Sequence, residues 1–213
     1  MKLIAINGSP RKNRNTDTLL RELIRGAKSA GAEAEMIYLN DLNYTGCISC
    51  MACKLKNGKS VGRCSKKDDL KEVLEKVHAA DALVLGSPIY WHDVTGLMRS
   101  FIERLLFQYL NYDDPDKPLS TPKRTAMVYA MNAPKEHHEE MKYEDLIFNK
   151  YENLMNEYFK DCTTLYATQT LFVNNFDKYH LRVSDEELIK QRHELVFPKV
   201  CEKAYELGLD LVK

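Results

Sequence analysis

Residues 3–27 read LIAINGSPRKNRNTDTLLRELIRGA, and this stretch decides the fold. Its first four residues are apolar, which suits a short buried strand. The polar loop 7–15 follows, and apolar residues then recur at helical spacing over 19–27, with Thr16 or Asp17 predicted as the helix cap. A buried strand that enters a helix through a polar loop is half of a βαβ unit.

The same alternation of apolar runs and amphipathic stretches continues along the chain. Further strands are predicted at 34–39, 82–86, 125–131 and 164–171, and helices from 68 onward, around 97–106, at 143–159 and over 185–213, with an interruption at Pro198. Five strands that alternate with helices predict an α/β fold, a five-stranded parallel sheet with helices on both faces. We expect one domain over 1–213, with its ligand outside the carboxyl ends of the strands.

Composition argues against several classes of protein. The 213 residues suffice for one domain with a sizeable core. The 31 basic and 31 acidic side chains cancel, which argues against nucleic-acid binding through net charge and against a polybasic membrane binder. The weakly charged stretch 79–91 is too short to cross a bilayer, and the apolar run after Lys2 is too short for a signal peptide. We therefore expect a cytoplasmic protein with no nucleic-acid or membrane partner.

The loop 7–16, between the first strand and its helix, has the composition of a phosphate cradle. Backbone N–H groups and the helix dipole favour an anion there. The side-chain donors are the hydroxyls of Ser9 and Thr16 and the guanidinium groups of Arg11 and Arg14. The number of glycines excludes two familiar phosphate-binding motifs. The loop contains only Gly8, whereas the nucleoside-triphosphate P-loop needs two glycines and the dinucleotide fingerprint needs three. A solvated polar turn is the remaining alternative.

The loop 87–96 places two large aromatic side chains, Tyr90 and Trp91, at the same predicted edge of the sheet. A planar cofactor can stack on either ring while backbone N–H groups reach its polar edge. The alternative is that the two rings only cap the edge of the sheet. A phosphate cradle one strand away favours the cofactor.

Two motifs carry a resemblance to a known family: Gly8-Ser9-Pro10-Arg11 with Asn15-Thr16, and Gly86-Ser87-Pro88-Ile89-Tyr90-Trp91 with Thr95-Gly96. The chain resembles the flavodoxin-like NAD(P)H-dependent FMN reductases, which include the iron–sulfur flavoproteins. The motifs lie in the first half of the chain, and the second half is similar in architecture alone. The resemblance implies a flavodoxin-like FMN-binding domain. FMN suits this cradle better than FAD does, because a pyrophosphate needs the close backbone approach that extra glycines allow.

The resemblance assigns the two ends of the flavin to separate loops. It implies phosphate contacts from Ser9, Arg11, Asn15 and Thr16, and ring contacts from Pro88, Ile89, Tyr90 and Trp91. His92, next to the aromatic pair, and Asn132, in the loop after the fourth strand, are further candidates for cofactor contacts. That third loop lacks the glycine that family members often place beside the flavin. No catalytic acid, base or nucleophile is expected, because the flavin carries the chemistry.

The Cys-rich loop 46–65 contains Cys47, Cys50 and Cys53 in a C-x2-C-x2-C pattern, and Cys64 follows after ten residues. Four thiolates that converge on one centre can ligate a [4Fe–4S] cluster, and the resemblance to iron–sulfur flavoproteins supports this prediction, although the last spacing is longer than is usual in those proteins. A zinc site is the second candidate, and a loop whose thiols hold no metal is the third. In each case we expect the loop beside the flavin or at a subunit boundary next to it, because it leaves the second strand at the same edge of the sheet.

These features predict an FMN-dependent oxidoreductase that passes electrons from NAD(P)H to a second acceptor, such as a quinone, a flavin or another small oxidant. The alternatives are an iron–sulfur electron-transfer protein with a ferredoxin-like partner and a flavin-binding redox sensor. The charged stretch 135–142 is predicted to be a lid over the flavin edge or a plain solvated loop. We expect a homodimer or higher homo-oligomer, because the helix after 96 carries more apolar groups than one face can bury. They are Leu105, Leu106, Phe107, Tyr109, Leu110 and Tyr112.

Overall fold

The structure of the protein is a computed structural model, which describes residues 1–181 and 185–213. Its strands are β1 (Lys2–Asn7), β2 (Glu33–Tyr38), β3 (Ala82–Tyr90), β4 (Asp93–Val94), β5 (Arg124–Ala130) and β6 (Lys160–Ala167). Five of them pair in parallel in the order β2-β1-β3-β5-β6, and the two-residue β4 pairs antiparallel with the end of β3. The predicted parallel sheet of five strands is therefore confirmed, with one short strand added.

Helices cover both faces of this sheet, as expected. They are α1 (Asn15–Ser29), α2 (Leu70–Ala79), α3 (Gly96–Tyr109), α4 (Lys135–Glu140), α5 (Asn149–Tyr158), α6 (Glu186–Leu195) and α7 (Phe197–Asp210). One core lies between the sheet and α2, α3 and α5, and a second lies between the sheet and α1 and α7. No helix within the described ranges has the length and apolar character that a bilayer crossing requires.

Alternate residues of the central strands supply the two cores. Ile4 and Ile6 of β1 face one layer of helices, and Leu3 and Ala5 face the other. Successive side chains of a strand point to opposite faces, so a strand covered on both sides must be apolar throughout. This is the reason that the short apolar runs of the sequence predict buried strands.

Several element boundaries differ from the predictions. The strand β3 continues four residues past 86, because the chain then turns back into β4. The last strand covers 160–167, and residues 168–171, which we predicted to belong to it, lie beyond the end of the strand. The predicted C-terminal helix is divided into α6 and α7. Pro198 lies in the first turn of α7, where backbone N–H groups have no partner within the helix, so the missing N–H of proline costs no hydrogen bond.

Two glycines let α1 and α7 approach each other until their backbones are in contact. A Cβ atom on Gly26 would lie 2.0 Å from the carbonyl oxygen of Tyr205, and a Cβ on Gly208 would lie 1.9 Å from the carbonyl oxygen of Leu23. Two atoms that are not bonded to each other do not approach so closely in proteins. The contact between these helices therefore requires glycine at both positions, and it fixes α1, whose N-terminus belongs to the site described below.

Gly26→Ala tests this contact. Helix propensity alone favours alanine by about 1 kcal/mol. We expect the opposite result, a loss of about 3 kcal/mol in the free energy of unfolding, because the added methyl group forces the two backbones apart. Urea denaturation measures the change. Gly96→Ala is the control, since a Cβ at Gly96 meets no atom within 4 Å. A Gly26→Ala protein as stable as the wild type would contradict the close contact.

Candidate active site

A cavity of about 300 Å³ opens at the carboxyl edge of the sheet. Its lining comes from the loops after β1 and β5, from the last residues of β3, and from the segment after β6. The residues are Ser9, Arg11, Arg14, Asn15, Thr16, Pro88, Ile89, Tyr90, Ala130, Met131, Asn132, Thr170 and Phe172. The structure thus brings together all the residues predicted for cofactor binding except Trp91 and His92. We call this space the edge cavity.

A fully buried carboxylate, that of Asp17, orders the loop that follows β1. Its oxygens accept hydrogen bonds from the side-chain amide of Asn7 at 3.0 Å, the backbone N–H of Asn13 at 3.0 Å and Nε of Arg21 at 2.8 Å. Burial by itself raises the pKa of Asp17, but hydrogen bonds from Arg21, Tyr38 and the Asn13 backbone outweigh it and hold the pKa below its ordinary value. Asp17 is therefore an internal anchor of the loop and not the cap that we predicted.

The N-terminus of α1 has no side-chain cap. Arg14 occupies the cap position in an extended conformation, and no side chain accepts a hydrogen bond there. Asn15 and Thr16, the first two residues of the helix, both line the edge cavity. Because the first N–H groups of a helix lack partners within it, and because the helix dipole is positive at this end, this side of the cavity favours an anion.

The segment 168–174 completes the wall of the cavity, and sequence reasoning missed it. Side chains of the first loop donate hydrogen bonds to it, from Arg11 to the carbonyl of Phe172 at 2.7 Å, from Arg14 to the side chain of Asn174 at 2.7 Å, and from Asn15 to the carbonyl of Leu171 at 2.9 Å. Thr170 donates to the carbonyl of Met131 at 3.1 Å. The local pattern of 164–171 resembles a strand and holds no signal of these contacts, because the partner loops lie far away in sequence.

The predicted ring contacts Trp91 and His92 form a two-residue turn between β3 and β4, where Tyr90 pairs with Asp93. Both turn residues have left-handed backbones, with φ of 50° and 62°. The indole of Trp91 is 95% exposed, and Nδ1 of His92 lies 2.7 Å from the hydroxyl of Tyr143. Neither residue lines the edge cavity, so their contact with the cofactor stays a prediction.

Thr95 ties together the two loops that are predicted to hold the cofactor. Its buried hydroxyl donates to the carbonyl of Gly8 at 2.8 Å and accepts from the N–H of Met98 at 3.2 Å, which caps α3. Its own N–H donates to Oγ of Ser87 at 3.0 Å. Gly8 is needed at this junction, because a Cβ there would lie 2.9 Å from Cβ of Met98.

The stretch 135–142 is not a plain solvated loop. It contains α4, and His138 is buried with 6% of its surface exposed. The ring of His138 stacks on Tyr143 with a centroid distance of 5.1 Å. Burial lowers the pKa of His138, which favours the neutral ring. His137 of this stretch lies beside His92 of the hairpin, with a ring centroid distance of 6.1 Å.

The four cysteines of the loop 46–65 line one small cavity, which we call the thiol cavity. Cys64 accepts a hydrogen bond from the guanidinium of Arg104 at 3.4 Å, and its N–H donates to the side-chain oxygen of Gln108 at 2.9 Å. Burial raises the pKa of the Cys53 thiol. Yet within the described residues no group of three or more His, Cys, Asp or Glu side chains stands in an arrangement that could hold a metal ion. The predicted cluster is thus unsupported by this geometry and stays a prediction.

The thiol cavity does not adjoin the edge cavity within one chain. The two share no lining residue. Arg104 and Gln108 lie in the second half of α3, and Arg104 follows Thr95 by nine positions, about 14 Å along a helix axis. Within one chain the loop therefore packs along α3 after leaving the edge of the sheet. Its predicted position beside the flavin or at a subunit boundary stays a prediction.

Three of the six apolar residues predicted to seek a partner subunit turn inward. Leu105, Leu106 and Tyr109 are buried, whereas Tyr112 is 61% exposed. A groove of about 430 Å³ lies beside this part of α3. Its apolar lining is Ile102, Leu106, Phe107, Leu110, Leu154 and Tyr158. The homodimer stays a prediction. Fewer apolar side chains at the end of α3 face outward than we expected.

Comparison with known proteins agrees with this architecture. Residues 1–142 match the model of the NADPH-dependent FMN reductase family, which is 142 of 213 residues. An iron–sulfur flavoprotein of Archaeoglobus fulgidus is 49% identical over 104 residues, which are 49% of this chain and 48% of that protein. One of Methanocaldococcus jannaschii is 38% identical over 104 residues, 49% of this chain and 51% of that protein. The alignments span about half the length of these curated relatives.

Solved structures share the fold over nearly the whole chain. An NAD(P)H:quinone oxidoreductase from Methanothermobacter marburgensis matches with a TM-score of 0.72 and 16% identity, covering 99% of this chain and 98% of that one. An azoreductase from Bacillus anthracis matches with a TM-score of 0.68 and 14% identity, covering 99% of each chain. At such identities the similarity is evidence for the fold alone.

Thr95→Val removes the hydroxyl that joins the two loops and keeps the shape of the side chain. We expect the free energy of unfolding to fall by about 2 kcal/mol, since the carbonyl of Gly8 and the N–H of Met98 lose their partner. Thr95→Ser is the matched control, because it retains the hydroxyl. Urea denaturation of the three proteins measures the difference. Equal stability of the valine variant and the wild type would contradict the role of this hydroxyl.

Proposed function

Because the chain belongs to the NADPH-dependent FMN reductase family, we propose that it is an oxidoreductase that holds FMN in the edge cavity and passes electrons from NAD(P)H to a second acceptor. One observation carries the proposal. The edge cavity combines an uncapped helix N-terminus and arginine side chains with a wall of proline, isoleucine and tyrosine. These are the two environments that a flavin monophosphate needs, one for a phosphate and one for a planar ring.

The phosphate end of the site would be formed by the first loop. Ser9, Arg11, Asn15 and Thr16 line the cavity where the first turn of α1 leaves its N–H groups without side-chain acceptors. Arg14 lies in the same wall and adds a second guanidinium. A terminal phosphate suits these donors. The loop contains only Gly8 for close backbone approach, which favours FMN over FAD.

The ring end would be formed by the last residues of β3 and by the loop after β5. Pro88 and Ile89 offer rigid apolar contacts, and Tyr90 is 45% exposed. Met131 and Asn132 close the wall from the next strand. FMN, when bound, would supply the redox chemistry of a reaction in which NAD(P)H, one proton and a quinone give NAD(P)⁺ and a hydroquinone. The side chains bind and orient the reactants and exclude water.

Arg11→Ala tests the phosphate assignment. We expect the affinity for FMN to fall by about 1 to 3 kcal/mol, the usual cost of a lost charge-assisted hydrogen bond. The affinity for riboflavin, which has no phosphate, should change much less. Quenching of flavin fluorescence measures both. Lys12→Ala is the matched control, because Lys12 pairs with Asp41 at 2.6 Å and lies outside the cavity wall. Equal losses for FMN and riboflavin would show that Arg11 acts only through the segment 168–174.

As a second proposal, we suggest that Cys47, Cys50, Cys53 and Cys64 would hold an iron–sulfur cluster, which requires their thiols to move from the positions that the structure gives them. What favours it is the convergence of four cysteines on one cavity that also holds a buried guanidinium. Arg104 donates to Cys64 and is paired with Asp68 at 2.5 Å. N–H donors of this kind stabilise anionic sulfur. In that case the chain would serve as an electron-transfer protein as well as a reductase.

Anaerobic reconstitution with iron and sulfide tests the cluster. We expect about four irons per chain and charge-transfer absorption in the visible range, with FMN still bound. Cys64→Ala should lose the intact cluster, whereas the control Cys201→Ala should retain it, because Cys201 lies outside the thiol cavity. Failure of the wild type to take up iron, with normal FMN binding, would remove the iron–sulfur proposal and leave the reductase proposal standing.

We also propose that the protein self-associates through the groove beside α3. Its apolar lining and the exposed ring of Tyr112 support this. A partner subunit at this face would cover apolar surface that one chain leaves in water.

A further inference from the structure

A second cavity, of about 580 Å³, lies between the first loop, α1 and the junction of α6 and α7. The function proposed above does not use it, and we call it the rear cavity. Its lining includes His193 and Phe197, whose rings stack with a centroid distance of 5.4 Å, and the ion pair of Glu22 and Arg25. A volume of this size, with an aromatic pair and several polar groups, is typical of a small-molecule site.

The segment 168–174 separates the rear cavity from the edge cavity. Thr170 and Phe172 line the edge cavity, whereas Leu171 and Asn174 line the rear cavity. Neighbouring residues of the segment therefore face different spaces, and one stretch of chain forms a wall of each.

Two side chains at the start of α1 complete this partition, since Arg14 and Asn15 line both cavities. Asn15 donates to the carbonyl of Leu171 at 2.9 Å, and Arg14 donates to the side chain of Asn174 at 2.7 Å. These hydrogen bonds join the first loop to the segment. The partition thus stands at the uncapped N-terminus of α1, which is the place that the proposed function gives to the phosphate.

The segment is also anchored to the loop after β5. The N–H and the hydroxyl of the buried Thr170 both donate to the carbonyl of Met131 at 3.1 Å. The preceding residue, Gln169, has an uncommon left-handed backbone with φ of 46°, and its N–H donates to the carbonyl of Ala133 at 3.2 Å. Such a conformation persists only where its surroundings hold it, so the partition is a fixed wall.

The position of this wall bears on the choice between the two flavin cofactors. FAD is FMN extended from its phosphate by an adenylate. When the phosphate lies at the N-terminus of α1, an adenylate that continues from it meets the partition. The space behind the partition is the rear cavity, where the stacked rings of His193 and Phe197 offer a face to a planar base.

We propose that the segment 168–174 selects FMN over FAD, because its hydrogen bonds to Arg14 and Asn15 close the rear cavity to the adenylate. This inference rests on the proposed function, which places the FMN phosphate at the N-terminus of α1. It adds a tertiary cause to the selection that the single glycine of the first loop predicts. The segment lies outside residues 1–142, the part of the chain that matches the family model, so membership of the family does not assign it this role.

Two variants open the partition. Asn174→Ala removes the acceptor of the Arg14 guanidinium, and Arg14→Ala/Asn174→Ala removes both partners of that bond. FAD must break this bond in the wild type and not in the variants. We therefore expect the Kd for FAD, relative to that for FMN, to fall about tenfold in the double variant and by a smaller factor in the single one.

Isothermal titration calorimetry of the 213-residue chain, freed of flavin, measures both constants. The ratio of the two Kd values is the quantity compared, because loss of Arg14 weakens the phosphate contact of both flavins alike. Asn175→Ala is the matched control, since this exposed neighbour of Asn174 lines neither cavity.

Labelling of Cys201, in the wall of the rear cavity, locates the adenylate. In the double variant, FAD should slow the reaction of Cys201 with iodoacetamide, whereas FMN should not. Burial raises the pKa of the Cys201 thiol to about 11, so the rates are compared near pH 9, roughly, where more thiolate is present. Mass spectrometry of peptides follows this cysteine separately from the others.

Three results would overturn the inference and leave the proposed function standing. A ratio of Kd values that stays unchanged in both variants, or a loss of both flavins together, would mean that these side chains only support the cofactor site. Binding of FAD as tight as that of FMN by the wild type would mean that the partition excludes nothing. Binding of FAD to the double variant without protection of Cys201 would place the adenylate elsewhere. A wild type that binds neither flavin would instead refute the proposed function.

Discussion

The arrangement of the edge cavity depends on one buried hydroxyl, that of Thr95. It donates to Gly8 in the first loop and caps the first turn of α3 by accepting from Met98. The loop after β1 also donates the N–H of Gly8 to the carbonyl of Gly86 at 2.8 Å, and β4 continues through Thr95 directly into α3. A hydroxyl can donate and accept at once, so one side chain joins the loop after β1 to the first turn of α3. The glycine at position 8 allows the close approach that makes this possible.

A second constraint acts from the opposite side of the sheet. The facing glycines of α1 and α7 bring two helix backbones into contact, which fixes the position of α1. The N-terminus of α1 forms the wall of the edge cavity that favours an anion. The glycine contact between α1 and α7, two turns or more along α1, therefore helps to fix the geometry of this cavity. The buried carboxylate of Asp17 carries this order into the loop through its bonds to Asn7, Asn13 and Arg21.

The two ends of α3 contribute to two different places in the molecule. Its first turn belongs to the junction of the loops that follow β1 and β3, and its second half faces the four thiols through Arg104 and Gln108. Lys54 fastens the cysteine loop to the end of α3 by donating to the carbonyls of Gln108 at 3.0 Å and Leu110 at 2.5 Å.

The sequence by itself determined the sheet, its parallel strands and the edge at which the ligand loops meet. Apolar runs of strand length and helical periodicity are local properties, and they report burial directly. Eight of the ten residues predicted to contact the cofactor line one cavity for the same reason, since motifs at the ends of β1 and β3 must meet where parallel strands end.

Only the tertiary structure decided the rest. The contacts of Arg11, Arg14 and Asn15 with 171–174 join positions about 160 residues apart, and the strained turn at Trp91 and His92 exists because Asp93 and Tyr143 are held by distant helices. Such contacts leave no local pattern, because their partners are chosen by the folded chain and not by neighbours in sequence.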